Sequence, residues 1–262
     1  MSINYSKFLK NGSNFRKFIG ILYSLAFCAL LLLGCDDGRK NDDTIAGVIK
    51  FATCADYPPF EYYKDGKLTG FDVELGELLA QKLGRKVVFE DMAFGSILVS
   101  VQDGVLDAAI SAVEPSEEKA KVVDFTNVYC RAGVALVYRK RTSTTSLSQL
   151  GRRRVAYQNG CSIHSKLLKD NAPDAELIIM DKMNVAIESL KAGHVDYVVM
   201  DKIPAKEFCR QNEQLNCSVV SEGDDGYVIM LKKGSTLKAQ LDNALQELEA
   251  DGELQRLREK WL

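Results

Sequence analysis

The sequence predicts an α/β protein of two lobes with a cleft between them. Strand-like apolar runs alternate with helix-like amphipathic runs along the body of the chain, in two series split by a Ser/Thr-rich connector at 142–150. No repeat of solenoid period and no low-complexity tract competes with that reading. The 262 residues suffice for one or two domains, and a formal net charge of -2 with 27% charged residues gives no general pull toward nucleic acid. A small molecule or a protein is the expected partner.

In the first series, 48–52 reads as a strand, 71–83 as a helix with Leu75, Leu78, Leu79 and Leu83 on one face, and 86–90 as the next strand. A short helix over 94–101, a strand over 106–113, a helix from Ser116 and an apolar strand over 133–138 follow. The second series opens with a strand at 155–158, then a helix from Ser162, a strand at 176–180, a helix from Asn184 stopped by Gly193, a strand at 195–200 and a helix after Pro204. A late strand at 227–231 and two helices, 237–248 and 253–261, parted by Asp251 and Gly252, end the chain.

The N-terminus has the layout of an export signal. Lys7, Lys10, Arg16 and Lys17 precede an apolar run over 18–33, and Gly34, Cys35 and the polar stretch 36–43 follow abruptly. That run of about 16 residues is short of the ~20 needed for a spanning helix, which counts against the competing reading of a permanent transmembrane anchor. Leu32, Leu33, Gly34 and Cys35 resemble the bacterial lipobox, after which the signal is cut and the cysteine acylated. The expectation is a signal over 1–35, a lipid on Cys35 and a tether over 36–46 that holds the body near the membrane.

Of the seven cysteines, Cys28 leaves with the signal and Cys35 carries lipid, so Cys54, Cys130, Cys161, Cys209 and Cys217 remain. Cys209 and Cys217 lie in a stretch that reads as loop-rich and either form a disulfide in an oxidising compartment or stay as two thiols. No CxxC or Cys/His spacing suggests zinc, and His164 and His194 are far apart, so neither a metal site nor a cofactor is expected.

Ligands of open α/β sheets bind beyond the carboxyl ends of strands. The candidate contacts are therefore Cys54 to Tyr57, Ser111 to Glu114, Gln158 to Ser162, and Asp201.

Several motifs carry a family resemblance. Tyr57, Pro58, Pro59, Phe60 and Glu61, then Gly70, Phe71, Asp72, Val73 and Glu74, resemble the opening signature of the periplasmic polar amino-acid binding proteins, the solute-binding family 3 of ABC importers. Gly104 through Asp107, then Asp124, Phe125, Thr126 and Tyr129, then Asp251, Gly252, Lys260 and Trp261 extend the likeness in order, from about residue 47 to the end. The resemblance implies a type II periplasmic binding protein fold: lobe 1 over 47–135 and 226–262, lobe 2 over 136–225, two hinge crossover strands between them, and the last helices returned to lobe 1.

It also implies contacts for an α-amino acid. Tyr57 and Phe94 match rings that sandwich the ligand, and they also read as core aromatics. Asp201 matches the carboxylate that takes the ligand ammonium, and it also reads as a helix N-cap. Gly160, Cys161 and Ser162 match a turn that meets the ligand carboxylate at a helix N-terminus, and Ser111 and Ala112, at a strand end of the first lobe, are further expected ligand contacts. Two residues depart from the pattern. Lys119 stands where the family has an arginine, and Glu114 where it has a small hydroxyl residue; a lysine pairs as a point charge without the bidentate fork. Lys119 also reads as a partner of Glu117 or Glu118 on a solvated face. Glu114 and Asp201 against Lys119 leave one excess negative charge, which favours a cationic ligand.

The expected function is a monomeric, lipid-anchored receptor that binds an amino acid or related amine without chemistry. It would hand the ligand to an ABC permease and ATPase from the periplasm, lipid-anchored to the cell membrane, the inner one if two membranes are present. The alternatives are an exported enzyme resembling cyclohexadienyl dehydratase, with Glu114 and Lys119 as acid and base, and a sensory lipoprotein. The sequence shows no nucleophile with an adjacent base.

Overall fold

A computed structural model describes residues 47–142, 145–223 and 226–262. The expected signal, the expected lipidation site at Cys35 and the expected tether lie outside the described residues. Among those described, no helix is long and apolar enough to cross a membrane.

The first sheet is seeded by β1 (Val48–Thr53), whose residues 51–53 are wholly buried. A small antiparallel set follows: β2 (Asp56–Tyr57), β3 (Glu61–Lys64) and β4 (Lys67–Thr69). Next come α1 (Phe71–Lys82), β5 (Lys86–Asp91), α2 (Phe94–Gln102), β6 (Ala108–Ala109), α3 (Glu117–Ala120) and β7 (Val123–Phe125). Helix α1 begins at Gly70, where a Cβ would lie 2.1 Å from the Phe60 carbonyl oxygen, so only glycine lets the chain turn this tightly against the β2–β3 loop.

The chain then crosses over through β8 (Cys130–Arg131) into β9 (Val134–Arg139), a 3₁₀ turn at Leu147–Gln149 and β10 (Arg154–Gln158). The second lobe continues with α4 (Ser162–Asn171), β11 (Glu176–Met180), α5 (Met183–Ala192), β12 (Tyr197–Asp201), α6 (Lys202–Gln211) and β13 (Leu215–Ser221). The return passes through β14 (Gly226–Tyr227), antiparallel to β8, into β15 (Met230–Lys232), α7 (Leu237–Ala250) and α8 (Glu253–Trp261). These two crossing strands run so close that a Cβ on Gly226 would lie 2.3 Å from the Cys130 carbonyl oxygen.

The two main sheets share one plan. The first has the order β5-β1-β6-β15-β7 and the second β11-β10-β12-β9-β13; in each the first three are parallel and the fourth runs against both of its neighbours. The last helices return to the first lobe, where the Trp261 indole donates to Glu74 Oε2 of α1 at 2.8 Å and Lys82 of α1 pairs with Asp251 at 2.7 Å.

The structure modifies four readings. The strand expected over 106–113 shrinks to β6, because the chain bends at Ala112 (φ 44°) and Asp72 takes that residue's N–H from any strand neighbour. The late strand expected over 227–231 is two pieces, one in the hinge and one in the sheet, parted where Val228 donates to the Val113 carbonyl. The stretch read as loop-rich holds α6 and the strand β13; Cys209 and Cys217 sit on these packed neighbours as free thiols. Lys119 does not lie on a solvated face: it is buried, and Nζ donates to the Glu114 carbonyl oxygen at 3.1 Å, 5.8 Å from the centre of the Phe94 ring.

Candidate functional site

The carboxyl ends of β1, β6, β10 and β12 face one another across the cleft, and the lobes touch there. Asp56 Oδ2 accepts the Met183 N–H at 2.5 Å, which caps α5 from the other lobe, and Lys182 reaches Asp91 at 3.3 Å. The Asp201 N–H donates to the Tyr57 hydroxyl at 2.9 Å, again between lobes. These contacts close down a small, largely enclosed cavity.

On the lobe 1 wall stand Tyr57, Glu61, Phe94, Ser111, Ala112, Glu114 and Lys119. Much of this wall is bonded to itself. The Ser111 hydroxyl donates to Glu61 Oε1 at 2.7 Å and accepts the Cys54 N–H at 3.0 Å, and Asp72 Oδ2 accepts from Ala112 N–H at 2.6 Å and from the Tyr129 hydroxyl at 2.9 Å. Burial and the neighbouring Asp72 hold the Glu61 carboxyl well above the usual range, and burial raises Asp72 to about 7 against the hydrogen bonds it accepts.

The lobe 2 wall consists of Gln158, Cys161, Ile163, His164 and Asp201. Asp201 is the N-cap residue of α6, yet its side chain does not cap: Oδ1 accepts from His164 Nε2 at 2.8 Å and Oδ2 from the Tyr227 hydroxyl at 2.9 Å. Burial pushes the His164 pKa down, but the Cys161 sulfur and the bond to Asp201 outweigh it and hold the imidazole well above its ordinary value.

The model of the bacterial extracellular solute-binding proteins, family 3, matches residues 49–262. The chain belongs to this family. It is 30% identical over 246 residues to the arginine-binding extracellular protein ArtP of Bacillus subtilis (strain 168), covering 92% of this chain and 93% of the relative. A solved ancestral arginine-binding protein bound to arginine superposes with a TM-score of 0.79 at 34% identity, over 83% of this chain and 99% of that one. An ancestral amino acid-binding protein described as a precursor of cyclohexadienyl dehydratase superposes with a TM-score of 0.76 at 28% identity, over 82% of this chain and 95% of that one. The two lobes and their sheets are those of the type II periplasmic binding protein fold.

Within this family 3 protein, eight of the ten residues singled out in the sequence for ligand contact line one cavity: Tyr57, Phe94, Ser111, Ala112, Glu114, Lys119, Cys161 and Asp201. Gly160 and Ser162 do not line it. Gly160 packs against Gly95 of the other lobe, where a Cβ would come within 2.9 Å of the Gly95 Cα, and Ser162 faces a groove with Pro115 and Lys166. Sequence reasoning missed Glu61, Ile163 and His164 as lining residues. Glu61 was visible as part of the opening motif, and Gln158 as a strand end. His164 stands three residues after Cys161 at the start of α4, a spacing visible in the sequence, but its carboxylate partner Asp201 is joined to it only by the fold. The spacing of cysteines and histidines led to no expected metal site, yet one ligand atom from each of Glu114, Cys161 and His164 lies within 4.8 Å of the others.

Proposed function

We propose that this protein is the receptor of an ABC importer for a polar amino acid, held near the membrane by a lipid on Cys35, and that arginine is the first ligand to test. The observation that carries the reading is the enclosed interlobe cavity. It sets two rings, Tyr57 and Phe94, beside groups of both charges, Asp201, Glu114 and Lys119, which is what a zwitterion needs. Arginine comes first because the ArtP relative is named for it and the ancestral structure contains it.

The charge count that favoured a cation changes once His164 is included. A protonated His164 beside Asp201 balances the excess carboxylate, so the cleft's charge alone does not choose arginine over glutamine. The enzyme reading gains no support from the dehydratase-related structure, which is itself described as an amino acid-binding protein.

The test is a thermal-shift screen of arginine, lysine, ornithine, glutamine, cystine and glutamate with chelator present. A ligand at a hundredfold excess over Kd adds about 2.7 kcal/mol of stability, and one member of the set is expected to do so without being consumed. If none shifts the transition, the amino-acid reading fails.

A further inference from the structure

We propose that Glu114, Cys161 and His164 form a binding site for a divalent transition-metal ion of the zinc class, placed so that the ion ties the two lobes together. Glu114 comes from lobe 1, and Cys161 and His164 from the start of α4 in lobe 2. One carboxylate oxygen, one sulfur and one imidazole nitrogen, all within 4.8 Å of one another, make a mixed donor set that suits a borderline metal. In a tetrahedral zinc site such donors stand about 3.5 Å apart, so modest side-chain rotation completes the approach. Three protein ligands leave the fourth position open toward the cavity, for water or for a chelating group of a bound solute.

Two further features point to a metal. His164 Nε2 is bound to the Asp201 carboxylate, and metal-ligating imidazoles commonly give their second nitrogen to a carboxylate, which fixes the ring. The ring is buried, only 2% exposed, and its second interaction is with the Cys161 sulfur, the neighbouring donor of the same cluster. Coordination would replace that contact with two bonds to one ion. Asp201 then serves as a positioning residue, itself held by Tyr227 and by its backbone bond to Tyr57. Lys119, the ammonium on the cavity wall, donates to the Glu114 carbonyl oxygen, which keeps one of its protons directed at backbone. On binding, the Cys161 thiol and a protonated His164 give their protons to solvent from Sγ and Nδ1, and the thiolate and the freed nitrogen coordinate.

The site is independent of which amino acid the cleft takes, and metal alone is the probe. The full chain, stripped with chelator and dialysed, is titrated with Co²⁺ and then Zn²⁺. The expected result is one Co²⁺ per chain with a thiolate-to-cobalt charge-transfer band, displaced by Zn²⁺. Cys161→Ser should abolish that band and weaken Zn²⁺ binding by about 100-fold or more, with circular dichroism unchanged because Cys161 is partly exposed. Glu114→Gln should weaken Zn²⁺ while leaving the band. No charge-transfer band in the parent overturns the proposal. So does a band that survives Cys161→Ser and disappears when Cys209 and Cys217 are changed to serine, since the metal would then sit on that pair. Because the amino-acid screen runs in chelator, a failure there is separate from a failure here.

Discussion

The two walls of the cleft are built differently. On lobe 1, Ser111, Glu61, Asp72 and the Ala112 backbone direct their hydrogen bonds at one another, so the wall is set before any ligand arrives. On lobe 2, Asp201 gathers His164 from its own lobe, Tyr227 from the returning hinge strand and Tyr57 from the opposite lobe, so it reports on closure. Acidic residues around one cleft therefore need not act alike, since some hold a wall in shape and others join the two lobes.

The largest expected effect comes from the lobe 2 wall. Asp201→Ala leaves His164 and the Tyr227 hydroxyl buried without their acceptor, and breaking a buried pair of this kind costs about 3–5 kcal/mol. Urea unfolding should show that loss, and calorimetry should show amino-acid binding weakened by about 100-fold. A variant that keeps both would reduce Asp201 to an ordinary helix-start residue.

The lobe 1 wall predicts a pH effect. Asp72 binds its proton more tightly folded than unfolded, up to about 7 from an ordinary 3.8, and burial and Asp72 raise Glu61 as well. The folded state therefore holds more protons than the unfolded one between these values. For Asp72 that stability is fully present below about pH 4 and is lost as pH rises through about 7, with a slope of at most about 1.4 kcal/mol per pH unit, and Glu61 acts in the same direction. His164, also raised, acts in the same direction above its unfolded value near 6.5. Asp72→Asn keeps an acceptor for Ala112 and Tyr129 but cannot ionise, so its stability from pH 5 to 8 should fall less steeply than the parent's. An identical slope would mean that Asp72 is not the proton-holding group.

A smaller effect is expected at the contact between the walls. Asp56 caps α5 only when the lobes meet, so Asp56→Ala removes a cap worth about 1 kcal/mol from the closed form alone. Ligand affinity should drop by about fivefold, with the chemical specificity unchanged. A change in ligand ranking would show that Asp56 does more than latch.

The strongly periodic elements were legible in the sequence. The strand at 176–180 and the helix at 253–261 fall where their patterns place them, and the Gly193 stop of α5 is a left-handed cap at φ 82°. The β2–β4 set was not legible, because three very short strands around Pro58 and Pro59 offer no period to read. Strand β13 was hidden for another reason: it lies at the sheet edge, half-buried and polar, so it lacks the alternation of a core strand. In the cleft, strand-end positions were legible because α/β topology puts ligands there, which located Ser111, Gln158 and Asp201. The approach of Glu114 to the Cys161–His164 pair was not, since it depends on which helix end of one lobe faces which strand end of the other.

The receptor reading is tested most directly by calorimetric titration of arginine, then glutamine, into the chelator-treated full chain. One saturable site is expected, with Kd in the micromolar range or tighter, about -8 kcal/mol, and recovery of the amino acid unchanged. No saturable heat with either, or conversion of the amino acid to another compound, would contradict it.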